Sequence, residues 1–246
     1  MLLDLATAIT KGSNVLSFIE TIISKECQRE IAQGEDGKIY DDQFASYFDD
    51  YDCLRNGCSS LADYEKDVDQ RFNSSFEHIR GYHSTRVIDE KSYKEHGIVK
   101  LDRKHFEKIS NDFLADTIPD GDLNRSIQEL EIPEHRKYVY FLWHRNSATV
   151  PGNDSYLKAG PEVLNLHDFA TDSSRNVGQP CVIHCDVPTT IITPSMRMCI
   201  WKYLLASSIE FNSGAYTLKD TLGAAFSTEE SVPPNSIVKF EYIEMP

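Results

Sequence analysis

The stretch Ile79-Arg80-Gly81-Tyr82-His83-Ser84-Thr85-Arg86, with Asp89 to His96 and Gly97-Ile98 behind it, decides how the chain reads. Ile79 to Ser84 reads as a strand. Asp89 to His96 reads as a short helix closed by Gly97, because glycine most easily takes the left-handed backbone that ends a helix. Downstream, Lys137 to Trp143 is an aromatic strand, and Cys181 to Val187 is a short apolar strand stopped by Pro188. Thr193 to Leu205 reads as a helix with Pro194 in its first turn, where a missing N–H costs nothing. Ser236 to Ile243 carries Ile237, Phe240 and Tyr242 loosely enough for a final strand.

Upstream the pattern changes. Val15, Phe18, Ile19, Ile22, Ile23, Cys27 and Ile31 recur at three- and four-residue steps, which predicts one helix stopped by Gly34. Asp41 to Leu54 is a second helix candidate. A third starts at Ser60, where Ser60-x-x-Asp63 resembles a capping pair and Leu61, Tyr64, Val68 and Phe72 form an apolar stripe. Asp102 to Leu114 is amphipathic through Phe106, Ile109 and Phe113. Regular alternation of strand and helix is missing, so the fold class is α+β. The expected organisation is a helical subdomain or lid over residues 1–75 and an α+β domain over residues 76–246.

Composition narrows the function classes. The 246 residues hold 25 Lys+Arg against 39 Asp+Glu, a formal net charge of −14, which argues against a general nucleic-acid binder held by phosphate neutralisation. The longest apolar-aromatic run, Tyr138 to Trp143, falls far short of the roughly 20 residues that span a bilayer. No membrane partner is expected. The N-terminus has no basic segment before its apolar residues, unlike a secretory signal. The six cysteines (27, 53, 58, 181, 185 and 199) therefore read as reduced thiols of a cytoplasmic protein. Cys53-x4-Cys58 and Cys181-x2-His184-Cys185 lack the usual zinc spacing, and neighbours on a strand point to opposite faces, so no metal is expected.

Several catalytic signatures are absent: the sequence has no G-x-G, phosphate loop, G-x-S-x-G or H-E-x-x-H. What remains is a constellation. His83 with Ser84 and Thr85 can hydrogen-bond a ribose or carboxamide, and Arg86 can grip a pyrophosphate through its planar fork. Taken alone, the tetrapeptide reads first as an ordinary strand histidine and a surface arginine. Tyr156 offers a ring for a base or nicotinamide to stack on. Glu162, in Gly160-Pro161-Glu162, can stabilise the positive charge that grows on a ribose as an N-glycosidic bond breaks. It also suits the first turn of a helix, where the macrodipole favours acids. His144-Arg145 follows the aromatic strand and can line the same cleft or simply end it. Trp143, Trp201 and Cys199 read as core, and Lys100, Arg103, Lys104 and Lys108 as one modest basic patch.

The order of these pieces, from the His83-Ser84-Thr85-Arg86 strand through the helix closed by Gly97-Ile98 to Tyr156 and Gly160-Pro161-Glu162, resembles the ADP-ribosyltransferase-like superfamily. Residues 181–188 and 232–240 resemble its late strands. The resemblance covers about residues 76–246. It implies a split, mixed β-core with NAD+ in the cleft between two small sheets, NAD+ being a co-substrate. By resemblance His83 grips NAD+ with Ser84, Thr85 and Arg86 beside it, Tyr156 stacks, and Glu162 is the catalytic glutamate. The family's glutamate sits on or before a late strand, which leaves Glu210 and Glu229-Glu230 as alternatives. The implied activity is transfer of ADP-ribose from NAD+ to a protein or nucleic-acid acceptor, in some members as a toxin or phage-defence effector with a neutralising protein partner. Two other readings stay open: a non-catalytic interaction protein of transferase-like fold, and an N-glycosidase acting on NAD+ or a nucleoside with water as acceptor.

Overall fold

The computed structural model describes residues 1–5, 7–10, 13–33, 44–55, 57–100, 138–150, 155–159, 178–213 and 225–244. The helix expected over Asp102 to Leu114 lies outside them. The described residues form a mixed α+β fold with eight α-helices and a six-stranded sheet. The chain divides into two units, Met1–Arg80 with Pro188–Phe226, and Gly81–Val187 with Ser227–Pro246. The sequence places a boundary at 75/76; in the structure residues 188–226 group with the N-terminal helices.

The first unit is built round one long helix. It contains β1 (Leu2–Leu3), α1 (Asn14–Ile22), α2 (Lys25–Ala32), α3 (Phe44–Asp50), α4 (Asp52–Arg55) and α5 (Leu61–Ser75). The single helix expected from Val15 to Ile31 is two. Ile23 is extended, and the Ser24 hydroxyl accepts from the Cys27 N–H at 3.2 Å, which starts a new helix where the apolar period would carry the old one through. The Asp41–Leu54 candidate likewise resolves into α3 and α4. Ser60 caps α5 as its sequence suggests, accepting from the Asp63 N–H, while the Asp63 carboxylate accepts from the Ser59 and Ser60 hydroxyls.

The long helix Pro194–Ser213 runs further than the expected Leu205 and packs on α1, α2 and α5. Its buried residues surround it, as a central helix requires. Phe18 meets Phe72, Phe76 and Trp201 edge-on, at centroid distances of 4.9–6.3 Å, and Trp201 Nε1 donates to Tyr64 Oη at 3.0 Å. Trp201 is core; Cys199 is half-buried, not buried. Buried Arg197 donates to the Asp69 carboxylate and to the carbonyls of Thr189 and Ile192. Cys27 and Cys53 are joined as a disulfide, which overturns the reading of six reduced thiols. Two short helices bring their Cα atoms to 5.5 Å across a separation of 26 residues, a meeting that no spacing motif announces.

The second unit carries most of the sheet. Its strands are β2 (His78–Val87, from Gly81), β3 (Val139–Leu142), β4 (Gln179–Pro188, to Val187), β5 (Ala225–Thr228, from Ser227) and β6 (Ile237–Tyr242). The order is β5-β3-β2-β4-β6, with β2–β3 and β4–β6 antiparallel and β1 parallel to the first residues of β2. The described strands make one sheet where the resemblance implies two small ones. Helix α6 (Glu90–His96) is capped by Asp89 and ended by Gly97 at φ 77°. A short helix, α7 (Ser155–Ala159), places Leu157 against Tyr82, Ala148 and Val182. In chain order, the long helix Pro194–Ser213 is α8. Among the described residues no helix is long and apolar enough to cross a membrane.

Candidate functional site

Alternation along β2 sorts the His83–Arg86 stretch onto two faces of the sheet. His83 and Thr85 stand on the face covered by α6, where the Thr85 and Tyr93 side chains are hydrogen-bonded. Tyr82, Ser84 and Arg86 stand on the other, where Tyr82 packs on Leu157 and Arg86 reaches its carbonyl.

His83 is half-buried, and its Nδ1 lies 2.9 Å from the Tyr140 carbonyl of the neighbouring strand. A carbonyl only accepts, so Nδ1 carries the proton. Desolvation lowers the imidazole pKa below its ordinary 6.5, against the opposing pull of that hydrogen bond. The neutral ring therefore presents Nε2 as an acceptor. Ser84 is 8% exposed, and its hydroxyl finds no hydrogen-bond partner among the described residues.

Arg86 donates to the carbonyls of Leu157 at 3.0 Å and Gly178 at 2.7 Å. Burial lowers its pKa. The first of these bonds pins the residue after Tyr156 to β2, so the structure brings the arginine and the tyrosine's helix together and gives the guanidinium structural work. Glu162 lies outside the described residues. Of its alternatives, Glu210 is on α8 in the first unit, and Glu229 and Glu230 are exposed after β5.

A carboxylate the sequence reading did not weigh is better placed. Glu241 on β6 receives both Nε, at 3.0 Å, and Nη2 of Arg145 on Oε1, and His184 Nε2 lies 2.7 Å from Oε2. Lys239 Nζ lies 3.7 Å from the same oxygen. The Arg145 hydrogen bond, with smaller help from His184 and Lys239, outweighs burial and holds the Glu241 carboxyl at about 2. The His184 ring meets Tyr82 edge-on at 5.0 Å. The Val182–Glu241 and His184–Lys239 pairings put these groups on the Tyr82 face. The sequence leaves His144-Arg145 to line a cleft or end a strand; in the structure Arg145 clamps this carboxylate. The signal in the sequence is Lys239 and Glu241 two apart on a strand; His184 follows from the β4–β6 register, and Arg145 from the turn after β3.

On the α6 face, Tyr242 donates to Glu90 at 2.8 Å, and burial followed by Glu90 pushes its hydroxyl up to about 12. Cys181, on the same face, rises to about 11 through burial. Such thiols and phenols stay protonated and make poor nucleophiles. Among the described residues no group of three or more His, Cys, Asp or Glu is arranged to hold a metal ion.

No protein-family model, curated protein or solved structure matches this chain.

Proposed function

We propose that the chain is an ADP-ribosyltransferase that breaks the nicotinamide–ribose bond of NAD+ and passes ADP-ribose to a protein or nucleic-acid acceptor. The ADP-ribosyltransferase type of fold is part of that proposal. The observation that carries it is His83: a half-open, neutral imidazole on an inner strand, its Nδ1 proton committed to Tyr140, its Nε2 free to accept from a ribose hydroxyl. Thr85 shares its face.

In the reaction the bond between the anomeric carbon and the nicotinamide nitrogen breaks, and its electron pair leaves with neutral nicotinamide. The oxocarbenium-like ribose is then taken by the acceptor nucleophile, which gives up its proton. An aimed carboxylate lowers that barrier, and by resemblance Glu162 supplies it; removing such a group costs on the order of 2–4 kcal/mol.

Incubation with labelled NAD+ and separate protein, RNA and DNA pools tests the reading, which expects label to become covalent in one of them. Release of free ADP-ribose with no labelled acceptor would favour the glycosidase, and no thermal shift with NAD+ the interaction protein. Glu162→Gln should lower turnover by about tenfold or more with the melting temperature unchanged; full activity would remove that assignment. His83→Ala should weaken NAD+ binding more than it alters melting. Because the folded imidazole titrates below 6.5, NAD+ affinity should be flat above that pH and fall below it, as protonation removes the Nε2 acceptor.

A further inference from the structure

Helices α3 and α4 are seven and four residues long, and isolated helices below about 12–15 residues are marginal in water, so packing must hold them. Arg55 ties the two together. It donates from Nε to the Phe48 carbonyl at 3.0 Å and from Nη2 to the Asp49 carbonyl at 2.7 Å, and its guanidinium stands 5.8 Å from the Phe48 ring centroid. Among the described elements α3 packs most extensively on α4, whereas α2 and α5 pack on α8.

Side chains anchor this pair to the rest of the first unit. Phe44 and Phe48 lie against Tyr64, with ring centroids 6.1 and 5.5 Å away, and the Lys202 ammonium stands 5.1 Å from the Phe44 ring. Tyr64 beneath them is fully buried and receives the Trp201 indole N–H. The covalent anchor is the Cys27–Cys53 disulfide, which ties α4 to α2. Its two ends differ: Cys27 is 2% exposed, while Cys53 is half-buried on its four-residue helix. A thiolate therefore reaches the Cys53 sulfur more readily than that of Cys27, and disulfides open to attack are the labile ones.

We infer that this disulfide is a redox latch. Joined, it holds α3 and α4 over Tyr64; reduced by a dithiol, it lets the pair undock and uncovers the apolar face made by Phe44, Phe48 and Tyr64. One thiolate of the dithiol attacks Cys53 Sγ, the bond to Cys27 breaks, and its electron pair leaves on Cys27 Sγ, which takes up a proton. The second sulfur of the dithiol then displaces Cys53, which leaves as a thiol, and the reductant becomes its own disulfide. The inference does not depend on the NAD+ reading.

The test is hydrogen exchange on the full chain, oxidised and after dithiothreitol. On reduction the α3 and α4 amides should lose about tenfold or more of their protection and stand at least about a hundredfold below those of α5 and α8; reoxidation should restore them. The inference is overturned if reduced α3 and α4 stay as protected as α5 and α8. It is overturned equally if α5 and α8 lose their protection with them, since the bridge would then hold the unit as a whole. Cys53→Ser, at a half-buried position, should show the reduced pattern with or without dithiothreitol; the oxidised pattern there would sink the latch. Glutathione at a cytoplasmic poise should open the bridge. Thiol labelling of the denatured chain reads this as a rise from the four free cysteines to all six. A bridge that survives that buffer is a permanent staple and not a latch. Cys58→Ser should leave the response unchanged, and its loss in that variant would overturn the pairing on which the latch rests.

Discussion

Glu241 gathers three basic side chains, Arg145, His184 and Lys239, on one carboxylate. Its two oxygens hold an arginine fork and an imidazole at once, and its side chain is 24% exposed. Its carboxyl titrates at about 2 against an ordinary 4.5, so the fold favours the ionised form. That contribution is complete above about pH 4.5 and drains away as pH falls through 2. Glu241→Gln should cost about 1–2 kcal/mol at neutral pH, a figure already reduced for partial solvent screening. Urea unfolding at pH 7 and pH 3 checks it: the gap between parent and variant should narrow at the lower pH. An equal gap at both would mean that lost packing, not lost charge, sets the cost.

The turn that ends α6 rests on one glycine. Gly97 has φ 77°, and a Cβ there would sit 1.9 Å from the Val232 carbonyl oxygen, against backbone that has no room to move. Ile98 and Val232 exchange both their backbone hydrogen bonds at 2.9 Å, tying the helix exit to the segment before β6. Gly97→Ala combines a forbidden backbone with a clash and should destabilise by about 2–4 kcal/mol. A thermal melt measures this, and a loss under 1 kcal/mol would show that the exit can rearrange. Strand β2 shows how much alternation decides: adjacent residues that look like one binding motif stand on opposite faces, so the Ser84 and Arg86 side chains lie away from the face that His83 shares with buried Thr85.

For the chain as a whole, the covalent tie deserves a direct test. The disulfide between Cys27 and Cys53 closes a loop of 26 residues in the first unit, which in the chain-entropy account is worth about 3–4 kcal/mol. Reduction, or Cys53→Ser, should lower the melting of that unit. A melt unchanged by reductant would mean the thiols are unjoined in solution. A disulfide is the habit of oxidising compartments, so the cytoplasmic expectation loses the support it drew from reduced thiols.

Much of the fold was legible because it rests on local rules. The 3.6-residue period located α5 and Ser60 its cap, Gly97 closed α6, and Pro188 stood where β4 ends. The apolar period could not show that Ser24 restarts the helix, since both helices bury the same kind of side chain. Tyr156 and the His83–Arg86 stretch stand out in the sequence as candidates for chemistry. Which faces they take, and that Arg86 spends its fork on two backbone carbonyls, do not. The amino-acid order set the elements, their ends and the acidic surface, because propensity, capping and charge act within a few residues. Strand pairing set Glu241 beside His184, the turn after β3 carried Arg145 to the same carboxylate, and helix packing brought two distant cysteines together. Those meetings depend on register and packing between segments tens of residues apart, and no local pattern encodes them.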